Sequence, residues 1–207
     1  MNKTDKNPFD SIPTTIKTER LELRCLNVTK ENAELLFTMF DGEKPKDYPF
    51  TAIAHDISKN NVLPESPQDM LKIMERDNGW LGNTGRIYYV FHESEPIGWT
   101  RIFYWKGSDT MQISQMFLVS KVWGRGFASE IYKTLDIIGF EKLGVNRITA
   151  QCDEKNIGSS KSIKKSHFTL NGVCPDGYMY EQPDGTKLFG NQEIWSKLKR
   201  EYEQNGK

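Results

Sequence analysis

Apolar residues recur at Phe127, Ile131, Leu135 and Ile138, spacings that place all four on one face of a helix. Gly144 follows this run and predicts its stop. Just upstream stands a glycine-rich turn, Ser120-Lys121-Val122-Trp123-Gly124-Arg125-Gly126. Before the turn, Ile113 to Val119 is an apolar run of strand type. The central unit is therefore strand, glycine turn, long amphipathic helix, spanning Gln112 to Leu143.

The flanking patterns predict a mixed α+β chain. Residues 1–16 are polar and read as a flexible arm. Thr18 to Leu26 alternates polar and apolar and predicts a half-buried strand. Lys30 to Phe40 predicts a helix with Ala33, Leu35, Leu36 and Met39 inward. Residues 41–65 hold Pro45, Pro49 and Pro64 and read as a loop with a short helix near Ala52 to Ser58. Ser66-Pro67-Gln68-Asp69 starts a helix reaching about Arg76. Arg86–His92, Pro96–Trp105 and Gln112–Val119 predict an antiparallel meander, and Asn146–Asp153 a further strand. Ser160 to Ser166 is helical in pattern, Phe168–Tyr180 and Gly185–Leu198 form a closing hairpin, and Lys197 to Gln204 suits a short helix.

Composition narrows the class. The chain has 207 residues, enough for one domain with a modest insertion. Its net charge is zero, which speaks against bulk attraction to nucleic acid or an anionic membrane. Cys25, Cys152 and Cys174 are widely spaced and odd in number, so neither a disulfide framework nor a zinc site is expected. That pattern fits a reducing cytoplasm. The opening residues lack a signal-peptide core, and no apolar run reaches membrane-span length.

A strand, a glycine turn and a helix N-terminus together present backbone N–H groups to an anion. Gly124-Arg125-Gly126-Phe127-Ala128 does not supply the Gly-Lys-Ser/Thr of a P-loop, and Ser129 breaks the dinucleotide glycine spacing. The stretch instead resembles the acetyl-CoA loop of the GCN5-related N-acetyltransferases (GNAT), Arg/Gln-x-x-Gly-x-Gly/Ala. Trp123 stands at the Arg/Gln place, with Gly126 and Ala128 at the small-residue places. Trp123-Gly124-Arg125-Gly126-Phe127-Ala128-Ser129-Glu130 looks like the variant of the RimJ/RimL-like ribosomal-protein acetyltransferase branch. Two further stretches are similar to that branch, the opening Thr18-Glu19-Arg20-Leu21 and the tail from Pro183-Asp184-Gly185-Thr186 through Tyr202, and Ile97-Gly98 resembles the family's third-strand pattern. Asn156, Ser159, Lys165 and Phe168 keep four places of the family's Asn motif, while His167 replaces its glycine, a departure that threatens the helix's C-terminal cap.

The resemblance implies a GNAT fold: a twisted, mostly antiparallel sheet of six to seven strands, splayed between strands 4 and 5 and flanked by about four helices. It implies one domain over residues 17–203, with residues 41–80 as a variable acceptor-side segment. The implied activity is acetyl transfer from acetyl-CoA to a primary amine, by direct attack in a ternary complex. The acceptor is a protein N-terminal α-amine or a small-molecule amine such as an antibiotic. The alternative is a non-catalytic acetyl-CoA-binding sensor or interaction module, and a homodimer is a further option. Phe117, Leu118 and Val119 are expected to pair with the pantetheine arm. Trp123, Gly124, Arg125, Gly126, Phe127, Ala128 and Ser129 are expected at the diphosphate, with Arg125 adding charge at the rim, and Asn156 on the arm's other side. A metal is not implied.

For proton transfer, Ser159 is the implied donor to the leaving thiolate, since the Tyr found at Asn+7 in many members is Ile163 here. Ser159 also suits an N-cap of the following helix. The base is open. Gln112 and Gln115 cannot take a proton, and Tyr178, Glu181 and His167 are later candidates, Tyr178 near the place of a branch Glu. His55 and His92 read as surface or strand residues. Trp80, Trp99, Tyr104 and Trp105 read either as core and surface or as an aromatic shelf for a flat acceptor.

Overall fold

The computed structural model describes residues 7–43, 64–181 and 185–204. Eight strands form one sheet: β1 Thr15–Lys17, β2 Glu22–Arg24, β3 Gly85–His92, β4 Glu95–Trp105, β5 Thr110–Leu118, β6 Arg147–Asp153, β7 Thr169–Glu181 and β8 Lys187–Leu198. Their spatial order is β1-β2-β3-β4-β5-β6-β8-β7. Five α-helices accompany them among the described residues: α1 Lys30–Phe37, α2 Pro67–Leu81, α3 Phe127–Asp136, α4 Ile157–Lys165 and α5 Lys199–Gln204.

Every neighbouring pair is antiparallel except β5 and β6. That parallel pairing lasts only from Thr110↔Arg147 to Ile113↔Ala150. Beyond it the two strands diverge, and a slot opens beside residues 114–118. A bulge lies at the point of divergence. Arg101 pairs with Gln115 but Ile102 with Ile113, leaving Ser114 as the extra residue on β5. A buried polar row holds this point. The Gln115 side-chain oxygen accepts from Trp99 Nε1 at 3.0 Å and from the Arg101 guanidinium, which also binds Asp77 of α2 at 3.2 Å. The expected splay is present, one strand later in the count because β1 was not anticipated.

α3 forms where its apolar spacing predicted. Phe127, Ile131, Leu135 and Ile138 are all buried, each contributing about 1.5–3 kcal/mol of apolar burial. The helix continues as a wider π turn, Ile137–Leu143, and Gly144 ends it at φ 72°.

Four local expectations need correction. The stretch Thr18–Leu26, predicted as one strand, holds a turn and then β2, which pairs back on β1 as a hairpin. The Thr18 hydroxyl accepts from the Leu21 N–H at 2.9 Å and turns the chain between β1 and β2. Residues 7–16 are not a loose arm, because Phe9 and Ile12 are buried in the core and β1 begins at Thr15. Leu35 is exposed, since α1 gives way to a 3-10 turn at Thr38–Phe40 that carries Met39 and Phe40 inward. α2 runs past Arg76 to Leu81. The helix predicted near Ala52 to Ser58 and the tip of the closing hairpin lie outside the described residues.

Candidate acetyl-donor site

The glycine turn takes the conformation that its residues allow. Gly124 and Gly126 have φ of 76° and 81°, the left-handed region where glycine carries no Cβ penalty. Gly126 is the N-cap of α3 and has no side chain to cap it. The first N–H groups of α3 thus open the helix without a capping oxygen, an arrangement suited to an anion. A Cβ at Gly124 would meet nothing within 4 Å, and one at Gly126 only Arg20 Nη2 at 3.7 Å, so the cradle is open on its outer side.

Glu130 fixes the cradle from behind. Its carboxylate accepts from the Thr18 hydroxyl, and from Arg20 N and Nε at 2.8 Å each. Arg20 Nη1 also donates to the Arg125 carbonyl at 2.9 Å. Burial raises the Glu130 pKa, but the bonds from Thr18 and Arg20 outweigh it and hold the carboxyl below its usual range. The opening stretch and the glycine loop, two separate resemblances in sequence, meet in this one ion pair.

Along the slot, the Val119 N–H donates to Ile97 O on β4 at 2.9 Å. Strand alternation therefore turns the backbone of Leu118 the other way, toward the slot. The Leu118 carbonyl accepts from Trp123 Nε1 at 2.7 Å. Gly98 pairs with Leu118, and a Cβ there would lie 2.0 Å from the Phe117 carbonyl, so only glycine permits this approach of β4 to β5.

The opposite wall is α4. Asn156 caps it, its Oδ1 accepting from Ser159 N at 3.1 Å. The cap expected of Ser159 thus belongs to Asn156, which sits at the N-cap position while Ser159 is already helical. His167 does not cost α4 its terminus. It adopts φ 62°, donates to Lys164 O at 3.0 Å, and lets Phe168 N reach Ile163 O at 3.4 Å, which is a Schellman end made without glycine.

One cavity of about 390 Å³ joins these parts. Phe117 and Leu118 line it from β5, Trp123, Gly124, Gly126, Phe127, Ala128 and Ser129 from the loop and α3, and Asn156 and Ser159 from α4. Two of the residues expected to hold the cofactor are not in it. Val119 is fully buried in the core with its N–H spent on β4. Arg125 turns away: its guanidinium lies over the Phe127 ring at 4.8 Å and against His92 Nε2 at 3.1 Å. His92 Nδ1 lies 3.0 Å from Arg20 O. A guanidinium only donates, so His92 accepts at Nε2 and carries its proton on Nδ1.

Among the lining residues not anticipated as site residues are two lysines and a tyrosine. Lys161 and Lys165 stand one turn apart on α4, and Tyr132 comes from α3. The lysine spacing was visible in sequence, but which helix face met the cavity was not. Burial raises the Tyr132 pKa.

Tyr178 is not among the lining residues. Burial raises its pKa, countered by a hydrogen bond to Gln192. His167 is exposed on the end of α4. The Glu181 side chain and His55 lie outside the described residues. Trp99 is core, packed on Phe117 at 4.5 Å. Trp80 and Trp105, 61% and 54% exposed, flank Phe103 and do not line the cavity.

The family model for the acetyltransferase (GNAT) domain matches residues 20–169, most of the chain and every wall of this cavity. The chain belongs to the GNAT acetyltransferase family. It is 28% identical over 193 residues to an N-acetyltransferase of Bacillus licheniformis, p20, with 91% of this chain and 98% of that one covered. Among solved structures, the GNAT acetyltransferase from Bacillus anthracis superposes with a TM-score of 0.67 at 18% identity, covering 90% of this chain and 99% of that one. RimL, the ribosomal L7/L12 α-N-protein acetyltransferase, gives 0.67 at 18%, covering 90% and 93%. The microcin C7 self-immunity acetyltransferase MccE, solved with acetyl-CoA and AMP, gives 0.71 at 18%, covering 90% and 97%. At these identities the structural likeness speaks to the GNAT fold alone. Among the described residues, no helix is long and apolar enough to cross a membrane.

Proposed function

We propose that this GNAT protein transfers the acetyl group of acetyl-CoA to a primary amine by direct attack within a ternary complex. The observation that carries this reading is the shared cavity, in which an open helix N-terminus, a splayed strand edge and the Asn156 helix face one another. The diphosphate belongs on the amides after Gly126, where helix dipole and unpaired N–H groups favour negative charge. Lys161 and Lys165 supply the cationic wall that Arg125 was expected to give. The pantetheine arm belongs along β5 beside Leu118, whose N–H polarises the thioester carbonyl. Ser159 is the hydroxyl that meets the leaving sulfur.

The acceptor is a protein N-terminal amine or a small-molecule amine, matching the range of the structural relatives: RimL is an α-N-protein acetyltransferase and MccE a self-immunity acetyltransferase. All three cysteines are free thiols, which supports a reducing compartment. A second reading, a non-catalytic acetyl-CoA sensor, draws support from Ile163, buried where many members carry a tyrosine.

Calorimetry with CoA and acetyl-CoA, followed by thiol release with peptide and small-molecule amines, separates the readings. Binding with CoA release on one amine class is expected. Binding without release on any amine leaves the sensor, and no binding removes both.

A further inference from the structure

One wall of the donor cavity carries a hydroxyl that the protein itself does not use. Tyr132 is only 3% exposed, lines the cavity from α3, and packs its ring 5.5 Å from that of Phe168. A buried phenol usually finds a partner within the fold. Tyr88 donates to Pro13 O at 3.0 Å, and Tyr180 to Asp153 Oδ2 at 2.6 Å. The Tyr132 hydroxyl meets no hydrogen-bond partner among the described residues, and it is not sealed off, so it opens on the cavity that its side chain lines. Burial raises its pKa, so near neutrality it keeps its proton and acts as a donor.

Helix geometry sets the level of this hydroxyl. With a rise of about 1.5 Å per residue, Tyr132 stands about 6 Å along α3 from Ala128, one of the residues whose amides open the helix. Its Cα–Cβ bond leans back toward the helix start, so the side chain reaches across the cavity and not further down it. From the diphosphate oxygen, the arm of CoA runs about twelve bonds to its sulfur, the length of four extended residues or about 13–14 Å. Its two amides fall about one third and two thirds of the way along. The hydroxyl is therefore level with the amides and well short of the sulfur, which leaves the sulfur to Ser159. An amide carbonyl has two lone pairs, so it can accept from the β5 edge and from a phenol at once.

Resting on the acetyl-CoA reading above, we propose that the Tyr132 hydroxyl donates to an amide carbonyl of the pantetheine arm and is a specificity-determining contact for the arm itself. The glycine loop and the α4 lysines answer to the charge of the diphosphate, which any nucleotide diphosphate carries. Tyr132 answers to the arm, and so separates CoA from nucleotides that share only its far end. It reads neither the acyl group nor the sulfur, so CoA and acetyl-CoA gain from it equally. It governs how tightly the donor is held and not how fast the acetyl group moves.

Tyr132→Phe keeps the ring against Phe168 and deletes only the hydroxyl. Because no protein group bonds to that hydroxyl, the free variant is expected to melt within about 2 °C of wild type. Calorimetry is expected to show CoA and acetyl-CoA each held about five-fold more weakly, the worth of one neutral hydrogen bond. The affinity for 3′-phospho-ADP, which is CoA without the arm, is expected to stay as it was, and so is kcat at saturating acetyl-CoA. Unchanged CoA affinity overturns the contact. A loss shared by 3′-phospho-ADP also overturns it, since that marks a loosened α3. A fall in kcat at unchanged affinity moves the hydroxyl to the sulfur, and a Tm lowered by more than about 5 °C gives it a structural role instead. A wild type that takes up no CoA removes the acetyl-CoA reading and this contact with it, whereas CoA held equally by both proteins removes the contact alone.

Discussion

Gly126 shows how much one residue decides. Its φ of 81° belongs to a region that costs other L-residues about 1–2 kcal/mol, yet its absent Cβ would touch little of the protein itself. Gly126→Val should therefore lower Tm by only a few degrees while abolishing acetyl-CoA binding by calorimetry. Retained affinity would move the anion away from the α3 amides. His167 is the converse case, a side chain where the left-handed backbone asks for none. His167→Gly should relieve about 1–2 kcal/mol of strain and give back about 0.5–1 to chain entropy. The net gain should raise Tm by about 2–4 °C in a thermal melt. At this scale the sequence made the glycine turn, Asn156 and Ser159 legible, because each has a fixed offset from its neighbours. Glu193 was not legible. Its place opposite Cys152 is set by β6–β8 pairing, and a strand glutamate carries no mark of which side chain it will meet.

The elements add a coupling that no single residue reveals. The β1–β2 hairpin is bolted to α3 through Thr18, Arg20 and Glu130, so the chain's opening positions the glycine loop. A carboxyl held below its ordinary value of 4.5 stabilises the fold fully above that value. The contribution is lost as pH falls through the lower, folded-state value. Glu130→Gln should thus cost about 1 kcal/mol at neutral pH, a modest figure because Arg20 is 41% exposed and water screens it. In melts run from pH 7 downward, the gap to wild type should close below 4.5. A gap that stays constant would assign the cost to packing. Period-two alternation runs from Arg20 to Cys25, which is why one strand was expected over Thr18–Leu26. The turn was encoded in the Thr18 hydroxyl, a weaker signal than Gly or Pro.

Across the whole molecule, α3 and the distant strand β8 share a buried charge pair, Lys197 Nζ to Asp136 Oδ2 at 2.6 Å. The ammonium also lies over the Phe168 ring at 4.7 Å. Burial raises the Asp136 pKa and Lys197 opposes that rise. Lys197→Met alone should cost about 3–5 kcal/mol at neutral pH, because a carboxylate stays buried without its partner. The loss should shrink on acidification as Asp136 takes up a proton, and Lys197→Met with Asp136→Leu should recover most of it. Denaturant midpoints of the single and double variants measure this. The pair joins residues 61 apart in sequence, and nothing in either stretch announced it. The splay between β5 and β6 was likewise carried by family resemblance, since neither strand's own pattern says where pairing stops.

Trp123, half exposed at the cavity mouth, already satisfies the Leu118 carbonyl from within the protein. Any guest that lies along that edge competes with the indole for its seat. Admission is then an exchange of one hydrogen-bond donor for another, nearly neutral in enthalpy, and selectivity falls to the shape of the arm and the charge of its far end. The evicted ring, moved from one polarity to another, gives the chain a built-in optical gauge of occupancy.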